Sequence, residues 1–513
     1  LKHTEKLLSI ALALILSGAL SNAYNGMKVY IVGGAGVGQY GIIDTYNGGS
    51  KEAAVIRESD GQAGWDHIIP GTPIVAPNAS STYVVEPAIS FTSPPKSNAA
   101  ITLPTSTTWY DVKFCETSAQ YTGVATTTSG SGVGATFDVT RNGEKYYLDI
   151  DVAGTGYARL DTVTIAGTDL DGASTDNDIT ITVTTINTVT GAIIDYDFVG
   201  IGQKGKFLAV GAGTNGSTSI TGESSWIAET LPSLGSGNWS NIASGLQDDG
   251  SSTYKATAIV IVADGDSTVG ISVDADTWNT SNLPAGMNTG AETRIAFGEV
   301  VADESQRFVV ISSADRDVAY SDNGGSSWTL TTDSLDAIGY DAIAYGAGKF
   351  VALRSSTNEA SYSEDGVSWT AITLPAVLPA NSDVVWGNGK FVALGGTNGI
   401  MYSLDGVSWT ENALSLPLTV TERKLAYGQG TFVVTSDDTD QIQYSHDGLY
   451  WQSYSLTTTV TGGYNAIAFG NPAREGKFTI LPNAAGTGGN LAQINTPAKA
   501  RASVANEQVF EIR

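Results

Sequence analysis

Side chains able to do chemistry recur along this chain in one fixed order: a serine, an acid or amide two residues later, a glycine, then a tryptophan. The four clearest copies are Ser321, Asn323, Gly325 and Trp328; Ser363, Asp365, Gly366 and Trp369; Ser403, Asp405, Gly406 and Trp409; and Ser445, Asp447, Gly448 and Trp451. Weaker copies come earlier, at Ser272, Asp274 and Trp278 and in a stretch ending Ser224-Ser225-Trp226. Carboxylates in such a set could bind a metal or act in catalysis. They could equally fold a turn, because Ser and Asp side chains hydrogen-bond nearby backbone amides. Glycine supplies a positive φ and tryptophan a large apolar face. A residue that serves every repeat alike is a poor candidate for a single active site, so a structural role is expected and no catalytic residue is assigned.

Other chemistries fare worse. One cysteine, Cys115, excludes an intrachain disulfide framework and a cysteine-based zinc site. His3, His67 and His446 are too scattered for a histidine metal centre. Oxygen-rich turns at Asp169-Leu170-Asp171-Gly172 and Asp264-Gly265-Asp266 could take calcium, although neither has EF-hand spacing, and solvated turns are the simpler reading. Gly36-Val37-Gly38-Gln39-Tyr40-Gly41 matches a dinucleotide fingerprint in letters only. A strand-like run, Ile42 to Asn47, follows where a helix would have to start, so no cofactor is expected. With 52 acidic against 26 basic residues the net charge is −26, which argues against nucleic acid as a partner and against an anionic membrane surface.

The elements that must position these residues are β. The chain has 513 residues with 60 glycines and 15% charged residues, many alternating stretches and almost no helix-period pattern after the first 20 residues. A second repeated element precedes each turn, clearest as Ile343-Ala344-Tyr345-Gly346-Ala347-Gly348-Lys349-Phe350-Val351-Ala352-Leu353. Related copies run through Phe207, Val260, Phe308, Phe391, Phe432 and Phe478. The tryptophans 226, 278, 328, 369, 409 and 451 are 40 to 52 residues apart. A several-stranded unit of that period predicts a β-propeller, since one unit buries too little alone and must stack around an axis. Seven blades are expected, with six or eight as alternatives.

Residues 103–114 resemble the later blade start at Leu231-Pro232, yet the Gly-Lys-Phe strand that should follow appears only at Gly205-Lys206-Phe207. Residues 115–203 therefore read as a small β domain inserted in the first blade, and 204–500 as the rest of the propeller. Residues 27–102 form an N-terminal β and loop region, turn-rich with Pro70, Pro73, Pro77, Pro87, Pro94 and Pro95. Leu1 to Ala23 resembles a secretory signal, its apolar run too short for a confident membrane span; alternatively Met27 opens the natural chain and 1–26 is an untranslated leader. Residues 501–513 read as the start of a segment that continues beyond Arg513.

The recurring turns resemble the Asp-box, or BNR, repeat of sialidase-like propellers, whose usual form is Ser-x-Asp-x-Gly-x-x-Trp. Only the Ser321 copy keeps that length, with Asn323 at the Asp position; those at Ser363, Ser403 and Ser445 are one residue shorter. The resemblance invites a sialidase, which would need an Arg-Ile-Pro segment and an arginine triad. The chain has no Arg-Ile-Pro, and nothing in the spacing singles out Arg294, Arg316, Arg354 and Arg423. The phrases Gly-Ser-Gly-x-Gly-Ala-Thr-Phe and Gly-x-Gly-Tyr in the insert, paired with degenerate Asp-box blades, resemble structural proteins of tailed phages, especially phages of marine cyanobacteria. That resemblance, spanning roughly residues 80–513, implies a non-enzymatic virion protein, tail- or fibre-associated, with other virion proteins or a host-surface glycan or protein as partners. The alternative is a secreted propeller that binds glycan or protein, with Tyr450 and Trp386 as candidate contacts.

Overall fold

The computed structural model describes residues 12–13, 28–33, 39–47, 52–56, 66–67, 75, 82–86, 96–97, 101–103, 510–511 and 108–495, the last range less 173–176, 201, 223–225, 249–254, 291, 303–304, 381, 396–398, 413–423, 436–440, 446–447, 449–450, 456–463, 471–475 and 483–489. Nearly all of the signal-like leader, the prolines at 70–95, Ser224-Ser225, Arg423, Asp447 and Tyr450 lie outside the described residues.

The chain divides into two compact units, residues 1–94 with 497–513, and residues 95–496. In the first, an antiparallel sheet runs Glu52–Ile56, Gln39–Asn47, Lys28–Gly33, Thr82–Glu86 and Phe510–Glu511. The described end of the glycine-rich run, Gln39 to Gly41, thus opens a strand paired with Lys28–Gly33, not a helix.

The second unit is a β-propeller. Among the described residues, seven antiparallel sheets follow one another along the chain. Their inner strands are Trp109–Glu116, Asn238–Asp248, Thr293–Val300, Tyr340–Gly346, Val384–Gly387, Leu425–Gly428 and Tyr464–Gly470, numbered here as blades 1 to 7. Each packs on the next, and the last packs back on the first, so the sheets close a ring. Blades 1 to 6 are four-stranded meanders in chain order, except that the second strand of blade 1 begins only at Gly205. Blade 7 has Tyr464–Gly470, Lys477–Pro482 and Asn490–Asn495, and its outer edge is supplied from the other end of the chain. Lys96–Ser97 and Ile101–Thr102 pair antiparallel with Asn490–Asn495. These two short strands fall inside the stretch that the sequence assigned to the N-terminal region.

The core lies between blades. Seven apolar clusters are each built from two neighbouring blades, such as Leu353 and Ala360 of blade 4 with Phe391 and Met401 of blade 5. One joint recurs. The inner strand ends in an aromatic and a glycine, and the aromatic of each blade lies over the glycine of the blade before. A Cβ on Gly298, Gly346, Gly387 or Gly428 would meet the ring of Tyr345, Trp386, Tyr427 or Phe469 within 2.2 Å. Each aromatic also contacts the phenylalanine opposite it, as in Trp386–Phe391 at 4.7 Å. At the joint between blades 1 and 2 the glycine is replaced by Cys115 and the aromatic by Ser244, whose side chain hydrogen-bonds the thiol. Burial pushes that thiol up to about 12, so it is packed and unreactive.

First-to-second strand connections in blades 4, 5 and 6 are two-residue hairpins with both φ values positive: Ala347 (49°) and Gly348 (72°), Asn388 (46°) and Gly389 (70°), Gln429 (45°) and Gly430 (76°). That is the turn whose twist matches the strands. In blade 1 the same connection holds residues 117–204. They form a three-stranded sheet (Ser118–Ala125, Val133–Asn142, Lys145–Thr155) and a four-stranded one (Thr127–Thr128, Thr162–Ile165, Ile179–Ile186, Ile193–Val199). These share a core of their own around Phe137, Val163, Ile181 and Val183. The junction is stitched by Arg141, whose Nη1 donates to Thr117 O, Thr117 Oγ1 and Gln203 O. Ser118 N also donates to Val273 O of blade 2 at 2.8 Å, which fixes the insert against the ring.

Candidate functional site

The serine–acid turns join the third and fourth strands of the blades. In the copy at 363, Ser363 Oγ accepts from Gly366 N at 2.8 Å, and Asp365 Oδ1 accepts from Val367 N and Ser368 N, both 2.8 Å. The copy at 403 repeats this, with Gly406 N on Ser403 Oγ, Val407 N and Ser408 N on Asp405 Oδ1, and Trp409 Nε1 on Gly406 O. The longer copy keeps the serine contact, Gly325 N to Ser321 Oγ at 2.9 Å, while Asn323 Oδ1 accepts from Ser327 N, and Trp328 Nε1 donates to Ser281 Oγ. Ser445 accepts from Gly448 N and Trp451 donates to Gly448 O. Burial alone would raise the carboxyls of Asp274, Asp365 and Asp405, but the amide hydrogen bonds outweigh it and hold all three below the usual range. These are folding acceptors with their lone pairs engaged.

The two weaker copies are also turns, with residues the repeat does not spell out. In the copy at 272, Ala275 stands at the glycine position with φ 66° and donates its N–H to Ser272 Oγ, while Asp274 Oδ1 caps Asp276 N and Thr277 N. Blade 1 uses Ser219 and Gly222: Gly222 N donates to Ser219 Oγ and Trp226 Nε1 to Gly222 O. The repeated strand also shifts by one residue in blade 2. Ile259, not Val260, lies opposite the turn serine, as Phe308, Phe350 and Phe391 do elsewhere. The turns also lock neighbours together: the glycine of each packs on the second strand of the preceding blade, Gly366 on Val309 and Gly406 on Val351. Arg307 in that strand pairs with Asp322 of its own turn and donates to Asp365 O of the next.

A cavity of about 290 Å³ lies on the axis, walled by the inner strands. Counting back three residues from the aromatic position gives Asp111, Asn241, Arg294, Ala342, Asp383, Lys424 and Ala466 in blades 1 to 7. Where this residue is an acceptor it caps the amide of the next blade. Asp111 Oδ2 accepts from Ile242 N, Asn241 Oδ1 from Ile295 N, and Asp383 Oδ2 from Leu425 N, each at 2.9 Å. Asp111 and Asp383 also cap the amides that follow them in the chain, Val112 N and Val384 N. Asp341, in a bulge of blade 4, accepts from Ser355 Oγ at 2.7 Å. Desolvation raises both Asp111 and Asp341 to about 6, against the pull of Lys113 and Lys424 on the first and of Ser355 and Arg294 on the second.

Among the described residues, three of the four candidate arginines are present, and each has an acid of its own nearby. Arg294 lies beside Asp264 at 3.6 Å and Glu292 at 3.8 Å; Arg316 pairs with Asp333 at 3.0 Å; Arg354 pairs with Glu359. Trp386, a candidate ligand contact from the sequence, is spent on the joint over Gly346. In the calcium candidates, Asp266 accepts from Gly235 N, Ser236 N and Thr268 N, Asp264 from Thr293 N, and Asp171 from Tyr121 Oη. Among the described residues no group of three or more His, Cys, Asp or Glu side chains is arranged to hold a metal ion, and no helix is long and apolar enough to cross a membrane.

A closed ring of sheets around a polar axis defines an all-β propeller protein carrying a second β module in its first blade. Among solved structures it is similar to a streptogramin B lyase (TM-score 0.44, 13% identity over 57% of this chain and 90% of that one). It is also similar to virginiamycin B lyase from Staphylococcus aureus (0.44, 12%, covering 57% and 92%) and to YCF48 bound to D1 peptide (0.44, 14%, covering 78% and 99%). No protein-family model and no curated protein matches the chain.

Proposed function

We propose that this chain is a non-enzymatic structural protein of a bacteriophage particle, tail- or fibre-associated, in which the propeller is an assembly or attachment module. The observation that supports it is where the carboxylates go: those of the turns and of the axis accept hydrogen bonds from backbone amides within and between blades, which is the work of a scaffold. The phage assignment itself rests on the resemblance of the insert and its pairing with Asp-box-like blades. Proteomics of purified phage particles tests it: peptides from this chain in intact virions support the reading, and their absence sinks it. The secreted reading is favoured by the signal-like Leu1 to Ala23 and predicts the protein in culture medium with saturable binding on a glycan array. Sialidase-like hydrolysis is the remotest reading, since the three described arginines each pair within their own neighbourhood.

A further inference from the structure

The axial ring has a defect in its own rule, and the defect gathers donors. At the joints from blade 1 to 2, 2 to 3 and 5 to 6 an Asp or Asn accepts the amide of the next inner strand. At the joints from 4 to 5 and 7 to 1 the position is Ala342 or Ala466, and the facing amide, Val384 N or Val112 N, is capped by its own neighbour Asp383 or Asp111. Two joints remain. From blade 3 to 4 and from 6 to 7 the position holds Arg294 and Lys424, which carry only donors and cannot accept from Ile343 N or Ile467 N. Arg294 is drawn to Asp264 and Glu292, with Nη1 on Thr293 O. Lys424 has no such acid within ion-pair distance among the described residues; its ammonium acts on Asp111, which sits across blade 7 on the cavity wall.

The next layer repeats the asymmetry. The residues just before the aromatic position are Lys113, Ala243, Ala296, Ala344, Val385, Ala426 and Ala468, a single cation among small apolar side chains. Lys113 and Lys424 both line the cavity on either side of blade 7, where Ala466 and Ala468 leave room between them.

We propose that the axial cavity binds a small oxyanion in front of blade 7, held by the ammonium groups of Lys424 and Lys113 and by the Ile467 amide. Two cations on the wall of one cavity, beside short side chains and an N–H that no described side chain caps, form a recess suited to a sulfate, phosphate or carboxylate group. The charged groups around it are Asp111, Asp341, Asp383, Arg294, Lys113 and Lys424, with Glu292 and Asp264 behind Arg294. Asp111 and Asp341 take up protons near pH 6, which removes negative charge from the wall, so binding strengthens on acidification.

The test uses sulfate, ionised throughout the range, titrated calorimetrically into the full-length protein at pH 5 and pH 8. Saturable one-to-one binding that is tighter at pH 5 is expected. Lys424→Gln should weaken it by about tenfold or more, while Lys424→Arg retains it. Lys349→Gln, at a pair with Glu364 away from the axis, should leave it unchanged. Thermal melts of each variant establish folding, and if Lys424→Gln does not fold, Lys113→Gln is read in its place with the same expected loss. No saturable heat from the wild-type protein at pH 5, or equal binding by the wild type and a folded Lys424→Gln or Lys113→Gln variant, overturns the site.

Discussion

The joint between blades 4 and 5 and the joint between blades 1 and 2 solve one packing problem with opposite parts. In the first, an indole fills the space above Gly346; in the second, Cys115 rises into that space and only Ser244 comes down on it. A joint has a fixed volume to fill, and either wall can supply it. The same two places differ in their loops: blades 4 and 5 turn in two residues, and blade 1 leaves the ring for a whole domain before returning. The irregular joint therefore lies beside the insertion, where Arg141 fastens the two ends of the insert together and Ser118 ties it to blade 2.

The volume argument can be broken most forcefully by Ser244→Phe, which puts an aromatic over a residue that already fills the space. Unfolding free energy from urea titration should fall by about 3 kcal/mol. Adding Cys115→Gly should recover most of that loss, making blades 1 and 2 meet as blades 4 and 5 do; purely additive losses in the double variant would show that the two positions do not share a volume. Next in size, Asp405→Ala strips an acceptor from two amides and should cost about 2 kcal/mol in the same assay, whereas Asn323→Ala, which uncaps a single amide, should cost about 1 kcal/mol. Ala275→Gly should raise stability by up to about 1 kcal/mol, because a left-handed backbone suits glycine, and a higher melting temperature would show it. The smallest expected effect concerns pH. Asp111 and Asp341 bind a proton more readily folded than unfolded, so their contribution to stability is fully present below about pH 4 and is lost as pH rises through about 6. Melting temperatures of the wild type and Asp341→Asn between pH 4 and 7 should differ in slope in that direction.

What was legible in the sequence was what repeats. The turn at Ser363 and the strand at Phe350 announce themselves because other blades carry the same letters in the same phase. The turn at Ser272 was legible only as a weak copy, because Ala275 and not glycine holds its positive φ, and in blade 1 only the tryptophan was legible, its serine and glycine, Ser219 and Gly222, standing at a different spacing. The axial ring was invisible for a deeper reason: each joint meets the amide of the next blade with a different residue, so Asp111, Asn241, Arg294 and Lys424 share a place without sharing a chemistry. Trp386 looked like a spare aromatic until the glycine beneath it was seen. Lys96–Ser97 carries no pattern at all, being two residues whose only meaning is their partner at the far end of the unit.

That partnership makes closure of the ring a matter of time. The strand pair that joins residue 96 to residue 495 cannot form until some four hundred residues have left the ribosome, which at about 5–20 residues per second takes tens of seconds. Through that interval the growing propeller is an open arc. The inner strand of blade 1 waits first for its own second strand, beyond the insert, and then for blade 7. Each finished blade exposes one apolar flank until the next is made, so the joints must be assembled in order. The insert, with a core of its own, can be complete before any joint exists.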